Sequence, residues 1–385
     1  MLAHRPRIAV VHDWLTADGG AERVLSHLLH MLPWADLYTL IDDGTCLSGE
    51  LRQQHSIKSS FLQLLPGITR YYRATAPLMP LAVESLKLEP YDLVISSSWA
   101  FAHGALAPAD APHLAYIHSP MRWAWDMEDE YLAQSGLAPP LHWATKHLLK
   151  KLRSWDRLAS KRPQSLIANS RFVAARIRRC WGRESSVIYP PVAPLAKIEP
   201  TIISRHNAYI CVSRLVPFKR VDVWIDAFRQ LPQRQLMVIG DGPERKRLMR
   251  YAGPNVHFLG FIPDHELVGL LVGARGFLQA SKEDFGIAVL EAQSCGIPVL
   301  AYAAGGAKET IQNVDQKHPT GLLFDSLNPQ EVAATIEQFE QYDFRPEDCR
   351  ANAMRFSPEV FRRQIREAIG ALGFRLPEQN SHRSR

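Results

Sequence analysis

No apolar run in the 385-residue sequence approaches the roughly 18 to 20 residues that a membrane-spanning helix requires. Met1 to Val11 is a short basic entry into a strand-like run, without the apolar core and small-residue cleavage site of a secretory signal. The chain is therefore expected to be soluble and intracellular. Cysteine is sparse: five residues, scattered and never in a C-x-x-C pair, which argues against a disulfide framework and against structural zinc. Cys295 has nothing beside it that would activate a thiol and reads as a small buried residue of a helix. Asp-x-Asp pairs placed after a strand are missing, as is a Walker-type lysine loop. A diphosphate ligand would then have to be neutralised by protein cations and helix dipoles. Short-period repeats and low-complexity segments are missing too.

What is present is enough apolar material, 46% of the residues, for two cores in a chain of this length. Short apolar runs alternate with amphipathic stretches, the pattern of parallel α/β layers. The runs in the first half are Ile8 to His12, Leu37 to Ile41, Leu93 to Ser96, Leu114 to His118 and Leu166 to Ala168. After the first comes Gly19-Gly20 and a helix whose Val24, Leu25, Leu28, Leu29 and Leu32 share one face. Pro190, Pro191, Pro194 and Pro200 interrupt the alternation, because proline favours extended chain and cannot continue a helix. The pattern restarts with Tyr209 to Val212, Leu236 to Ile239, Val256 to Leu259, Phe277 to Gln279 and Val299 to Ala301. Helices are expected to begin near Arg220, Glu244, Asp264, Gly286 and Ala307.

These boundaries predict a first domain over 1–190, a linker over 191–207 and a second domain over 208–356. A helix over 357–373 is expected to rejoin the first domain, followed by a polar, disordered tail over 374–385. The expected fold is α/β, with two Rossmann-like domains facing across a cleft, and loops at the carboxyl ends of strands are where chemistry is sought.

Four loops stand out. Glu283-Asp284-Phe285-Gly286 joins a strand to a helix that carries Glu291. Glycine there permits close backbone approach, and the helix start offers N–H groups to an anion or to hydroxyls. Two ionised carboxylates could accept hydrogen bonds from sugar hydroxyls, or Glu283 and Asp284 could simply be favourable charges near a helix N-terminus. Ser213-Arg214, with Lys219 five residues on, follows another strand. Arginine and lysine suit a diphosphate, although a solvated basic loop has the same composition. Gly240-Asp241-Gly242-Pro243 is either a ligand-binding turn or a tight turn into a helix. In the first half, Gly19 and Gly20 would let backbone approach a phosphate or sugar, and His118 ends a strand beside Ser119-Pro120.

Together with Ala168-Asn169-Ser170 and Tyr189-Pro190-Pro191-Val192, these motifs, in this order, resemble the family-4 retaining glycosyltransferases of GT-B architecture. The resemblance covers most of the chain. It implies that Arg214 and Lys219 hold a donor diphosphate and that Glu291 binds the nucleotide ribose. It implies that Glu283 and the amides of Phe285 and Gly286 hold the donor sugar, with His118 contacting it from the opposite domain. Arg214, Lys219, Glu283 and His118 are thus the candidate catalytic residues, and Gly19, Gly20, Gly240 and Ile287 complete the donor-binding set. No dedicated nucleophile, metal or cofactor is expected. Ser60-Phe61-Leu62, Tyr91 to Ser98 and His118 to Asp126 further resemble bacterial mannosyltransferases of O-antigen and exopolysaccharide synthesis. That implies GDP-mannose as donor and a polyprenyl-diphosphate-linked glycan as acceptor. A UDP-sugar-dependent enzyme of the same fold and a non-catalytic nucleotide-sugar-binding subunit are the alternatives.

The net charge of +6 is unevenly spread, since 141–185 holds 12 Lys or Arg against 2 acidic residues. Leu141, Leu148, Leu152, Trp155 and Ala159 form an apolar face opposite Lys146, Lys150, Arg153 and Arg157. This is either an ordinary amphipathic helix or a basic face held peripherally against the cytoplasmic side of an anionic inner membrane. Nucleic acid is a poorer partner, because no recognition-helix or aromatic-interleaved pattern accompanies the charge.

Overall fold

The computed structural model describes residues 6–17, 19–128, 139–195 and 207–377. The chain divides into two compact units, Met1–Pro191 with Phe361–Arg385, and Val192–Val360.

The first unit holds seven parallel strands: β1 (Ile8–His12), β2 (Asp36–Thr39), β3 (Ile57–Ser59), β4 (Leu93–Ser98), β5 (His113–Ile117), β6 (Ser165–Ala168) and β7 (Ser186–Val187). Their order is β3-β2-β1-β4-β5-β6-β7. Side chains alternate across a strand, so β1 feeds two cores. Ala9 and Val11 pack with Leu62, Ile68, Met79, Leu149 and Leu152 on one face. Ile8 and Val10 pack on the other face with Val24, Leu25, Leu28 and Leu29 of the helix Gly20–Met31. A sheet covered on both faces demands continuous apolar strands, which is why β1 reads Ile-Ala-Val-Val.

The helix Pro358–Ala371 lays Phe361, Ile365 and Ile369 onto the second of these cores. Their spacing of four places them on one stripe, and truncating a fully buried isoleucine such as Ile365 to alanine would cost about 2–5 kcal/mol. Phe374 and Leu376 continue the same packing. Residues 378–385 of the expected tail and 196–206 of the expected linker lie outside the described residues.

The second unit holds β8 (Ala208–Val212), β9 (Gln235–Ile239), β10 (Val256–Gly260), β11 (Gly276–Gln279), β12 (Val299–Tyr302) and β13 (Gly321–Phe324). These are again parallel, in the order β10-β9-β8-β11-β12-β13. Helices Val221–Phe228, Arg245–Tyr251, Asp264–Val272, Ile287–Ser294 and Ala307–Thr310 begin within one residue of the positions read from the sequence. The α/β expectation holds in both units.

Both sheets reverse their strand order at one place, between β1 and β4 and between β8 and β11. Connections leave these neighbouring strands toward opposite sides, which opens a crevice at their carboxyl ends. The loops singled out in the sequence follow the strands at these two reversals and their neighbours.

The long helix Pro139–Ala159 corrects one expectation. Leu149, Leu152 and Ala159 are buried, but Leu141 is exposed rather than turned inward, as is Trp143. Arg153, expected on the solvated face, turns back to the carboxylate of Glu128 and the carbonyl of Ala124. Helical periodicity fixes which residues share a stripe, but not where along the helix the core ends.

Candidate functional site

β8 ends at Val212 and delivers Ser213 and Arg214 to the crevice of the second unit. Arg214 is exposed, with no side-chain partner among the described residues. The chain then makes a single turn over Pro217–Lys219 and reverses at Arg220, which holds a left-handed φ of 52°. That conformation disfavours any side chain with a Cβ, and here Arg220 is tied down by donating to Asp222 at 3.1–3.2 Å. The reversal brings Lys219 beside the loop after β11, where its Nζ donates to Oε1 of Glu283.

Glu283 is held from two further directions. Ser281 Oγ donates to the same carboxylate oxygen at 2.7 Å. The amide of Gly306 donates to the Glu283 carbonyl at 2.9 Å. A Cβ on Gly305 would stand 2.0 Å from the Glu283 oxygen, and one on Gly306 2.2 Å from that of Phe285. The loop after β12 therefore supports the Glu283 loop backbone to backbone, a contact that only glycine allows. The sequence reading passed over Gly305 and Gly306, although a glycine pair just past a strand was a usable signal.

Phe285 is buried against Phe356, ring centroids 5.5 Å apart, and anchors the loop. Gly286 follows with φ 97° and opens the helix Ile287–Ser294. Ile287 and the half-buried Glu291 are four residues apart, so they share the face over the first turn. Gln279, at the end of β11, was also missed. It is buried, and its Nε2 has no hydrogen-bond partner among the described residues. That atom lies 3.6 Å from where a Cβ on Gly286 would be. A buried donor left unmatched costs about 1–3 kcal/mol, so an acceptor supplied from outside would be well rewarded here.

Gly240 serves the neighbouring loop. Its φ is 120°, its amide donates to the Gly260 carbonyl at 2.7 Å, and a Cβ would meet the Ser213 oxygen at 2.1 Å. Gly242 packs likewise on Leu215. The turn over 240–242 therefore sets the course of the chain that presents Arg214.

In the first unit, β1 and β4 are tied at their ends by Asp13. Its buried carboxylate accepts four backbone N–H bonds, from Trp99, Ala100, Phe101 and Ala102, at 2.6–3.0 Å. Gly19 and Gly20 start the first helix, and a Cβ on Gly19 would come within 3.0 Å of Glu22 Oε2. From Glu22 a buried polar chain runs inward. Glu22 Oε1 lies 3.4 Å from His12 Nε2, and His12 Nδ1 3.2 Å from Ser97 Oγ. Ser97 Oγ in turn lies 2.9 Å from His118 Nε2. Burial, with a lesser contribution from His12, pushes the His118 pKa down to about 3, so the ring is neutral near pH 7. Sequence reasoning found His118 but not the three residues behind it.

A second buried polar group has the composition of a hydrolase triad but not its hydrogen bonds, since His103 Nε2 and Asp156 Oδ1 make none among the described residues. Ser98 Oγ is 3.0 Å from His103 Nδ1, and His103 Nε2 is 3.2 Å from Asp156 Oδ1. Asp156 Oδ2 also accepts from the indoles of Trp125 and Trp181 at 2.7 and 2.6 Å. Ser98, His103 and Asp156 are at most 1% exposed, so this group is a core fastening. Burial raises the Cys295 thiol to about 11, which leaves it protonated and inert. Among the described residues no group of three His, Cys, Asp or Glu could hold a metal ion. None of the described helices is long and apolar enough to cross a membrane.

Comparison with known proteins adds to this geometry. The family described as Glycosyltransferase Family 4 matches residues 18–194, and that described as Glycosyl transferases group 1 matches 196–356. A GDP-mannose-dependent monoacylated alpha-(1-6)-phosphatidylinositol monomannoside mannosyltransferase of Corynebacterium glutamicum is 38% identical over 141 residues, 33% of this chain and 36% of that protein. A sulfoquinovosyl transferase of Arabidopsis thaliana is 28% identical over 199 residues, 44% of this chain and 39% of that protein. The matched stretches thus span little more than a third of these relatives. An Anabaena protein crystallised with UDP and glucose superposes with a TM-score of 0.67 at 21% identity, over 95% of this chain and 100% of that one.

Proposed function

We propose mannosyl transfer from GDP-mannose, with retention of configuration, for this chain, which belongs to the family-4 glycosyltransferases of GT-B fold. The observation that carries the reading is the meeting of Lys219 and Glu283 where the strand order of the second sheet reverses. A cation suited to a diphosphate and a carboxylate suited to sugar hydroxyls stand side by side there. Arg214 and Lys219 hold the diphosphate, Glu291 the ribose, and Glu283 with the amides of Phe285 and Gly286 the sugar. The acceptor hydroxyl attacks the anomeric carbon on the face from which the diphosphate leaves, and the two cations stabilise the charge that develops on the leaving group.

The name of the Corynebacterium relative supports mannose and guanosine. That of the Arabidopsis relative favours a second reading, transfer of a different sugar. Titration of the protein with GDP-mannose, GDP, UDP-glucose and UDP-galactose separates them, followed by product analysis with and without a polyprenyl-diphosphate-linked glycan. Tight binding of a UDP-sugar alone would replace the first reading by the second. Binding of none would sink both.

A lipid-linked acceptor also calls for a lipid-facing surface, and the first unit has a candidate. From Leu51 to Val83 the sequence carries no carboxylate. Within that stretch Phe61, Leu64, Leu65, Tyr71, Leu78 and Leu81 are exposed, Leu64 to 84%, beside the exposed Arg70 and Arg73. The helix 139–159, with Leu141 and Trp143 exposed at its start, packs on the same core. By contrast, several cations within 141–185 are tied to internal carboxylates: Arg162 to Glu84, Arg176 and Arg179 to Asp126, and Arg178 to Glu184. We assign the anionic-membrane contact to the 61–81 surface with the start of that helix.

A further inference from the structure

The geometry points to a saccharide subsite within the first unit, built from Trp14, Tyr72 and Trp99, that takes a sugar ring of the acceptor glycan. Naming the ligand as acceptor rests on the transferase reading; the fit to a sugar ring does not.

Trp14 stands two residues past β1 and Trp99 directly follows β4, so both sit at the carboxyl ends of the strands between which the first sheet reverses its order. Their rings meet edge to face, with centroids 4.2 Å apart and planes inclined by 72°. Tyr72 adds a third ring, 5.4 Å from that of Trp14 and tilted by 58°. Trp14 and Tyr72 are only 6% and 8% exposed, and the partly buried Trp99 packs on the same core. At such burial an indole N–H or a phenol normally has a partner within the protein. Here neither Trp14 Nε1 nor the Tyr72 hydroxyl has a hydrogen-bond partner among the described residues, and neither atom is sealed from solvent. Each residue thus buries its ring and keeps its polar tip open to a ligand.

The rings are fixed in advance. The amide of Trp99 donates to Asp13 Oδ2 at 2.6 Å, which ties Trp99 to the residue before Trp14. The amide of Leu15 donates to the Ile41 carbonyl at 2.8 Å and holds the chain on the other side of Trp14. A site already ordered loses less of its contact energy when a ligand arrives.

The chemistry of the three residues selects the ligand. An N–H donor beside a hydroxyl that can donate or accept suits a ligand whose edge carries hydroxyls. The negative face of an aromatic ring suits the C–H face of a pyranose and repels an anion. A nucleobase fits less well, because it is flat and stacks best between parallel rings, whereas these pairs are steeply inclined. The Arg73 guanidinium lies over the Tyr72 ring, 5.3 Å from its centroid, so the hydroxyl is the part of Tyr72 left for a ligand. Tyr72 also belongs to the 61–81 segment, so the subsite adjoins the surface assigned to the membrane. A glycan on a lipid carrier would have its sugar at Trp14 and Trp99 with its lipid alongside.

The test is fluorine NMR on the whole protein labelled with fluorotryptophan, with the two signals assigned from Trp14→Phe and Trp99→Phe variants. The probes are the methyl glycosides of mannose, glucose, galactose and N-acetylglucosamine. At least one should shift both signals saturably; no shift with any of them overturns the proposal. Farnesyl diphosphate shifting both signals while no glycoside does would make the rings a lipid contact and also overturn it. Trp14→Phe and Tyr72→Phe keep a ring and remove only the polar atom. Each should weaken binding of the active glycoside about two- to tenfold, and Trp99→Ala about tenfold, in proteins shown folded by circular dichroism. Unchanged affinity in all three variants would refute the assignment. Glycoside binding without nucleotide-sugar binding would remove the transferase reading and keep the subsite, and GDP-mannose binding without glycoside binding would remove the subsite alone.

Discussion

Lys219 and Glu283, 64 residues apart, share a hydrogen-bonded ion pair at the carboxyl ends of β8 and β11. Each is suited to a different part of a nucleotide sugar, and without ligand they satisfy one another. On the proposed reading, a diphosphate arriving at Lys219 would compete with the carboxylate for the same ammonium.

Opposite signs therefore follow for the two partners. Lys219→Ala should weaken GDP binding by roughly 1.5–3 kcal/mol and lower turnover about 10²–10³-fold. Glu283→Gln frees the lysine, so GDP should bind as well as or better than to wild type while sugar transfer falls by a similar factor. Calorimetric titration with GDP and steady-state kinetics on variants shown folded by circular dichroism check both. A Lys219→Ala protein with full activity would refute the diphosphate assignment.

Asp13 should behave as a structural residue although it lies at the strand-order reversal of the first sheet. Its carboxylate accepts four buried N–H groups, and Asp13→Asn turns an NH₂ toward two of them. Bonds to a charged acceptor are worth about 1.5–3 kcal/mol each, so a loss of roughly 3 kcal/mol or more is expected by urea unfolding. A variant of wild-type stability would contradict this.

Two buried histidines make stability depend on mild acid. Burial lowers the pKa values of both His113 and His118 to about 3, from an ordinary 6.5. Above pH 6.5 both rings are neutral folded or unfolded, and no penalty arises. As pH falls from 6.5 toward 3 the unfolded chain takes up protons that the folded chain refuses, so stability decreases. The slope is roughly 1.4 kcal/mol per pH unit for each histidine. Urea titrations at pH 7, 6 and 5 should show it, and His113→Gln should remove one histidine's share. A flat profile over this range would refute the assignment.

The 61–81 surface can be tested without activity. Sedimentation with phosphatidylglycerol-containing vesicles should be strong at low salt and weaken at high salt, because Arg70 and Arg73 act through screened attraction. The double substitution Leu64→Glu and Leu81→Glu should abolish it while leaving GDP binding intact. Retained sedimentation would move the contact elsewhere, and self-association lost with the same substitutions would identify a second copy as the occupant.

Much of the fold was legible because strands buried on both faces must be apolar throughout. Val-Val-His in β1 and Tyr-Ile-Cys-Val in β8 cannot be mistaken for surface. β3, β7 and β13 escaped for the converse reason. β3 is a half-buried Ile-Lys-Ser, and β7 is two residues long. β13 opens on Gly321, which reads as loop until the Val299 carbonyl, 2.0 Å from its absent Cβ, shows why glycine stands there.

Sequence alone determined the strand-and-helix alternation, the two-part organisation and the kinds of residue offered at each strand end. It did so because burial and backbone chemistry act locally and leave a periodic trace. Tertiary structure decided which of those residues meet. Lys219 reaches Glu283, Ser97 stands between His12 and His118, and Gly305 supports the Glu283 loop. His12 and Ser97 are 85 residues apart, and nothing local records that β4 lies beside β1 rather than at an edge. The order of strands in a sheet is a property of the whole packed layer, and the site is built from that order.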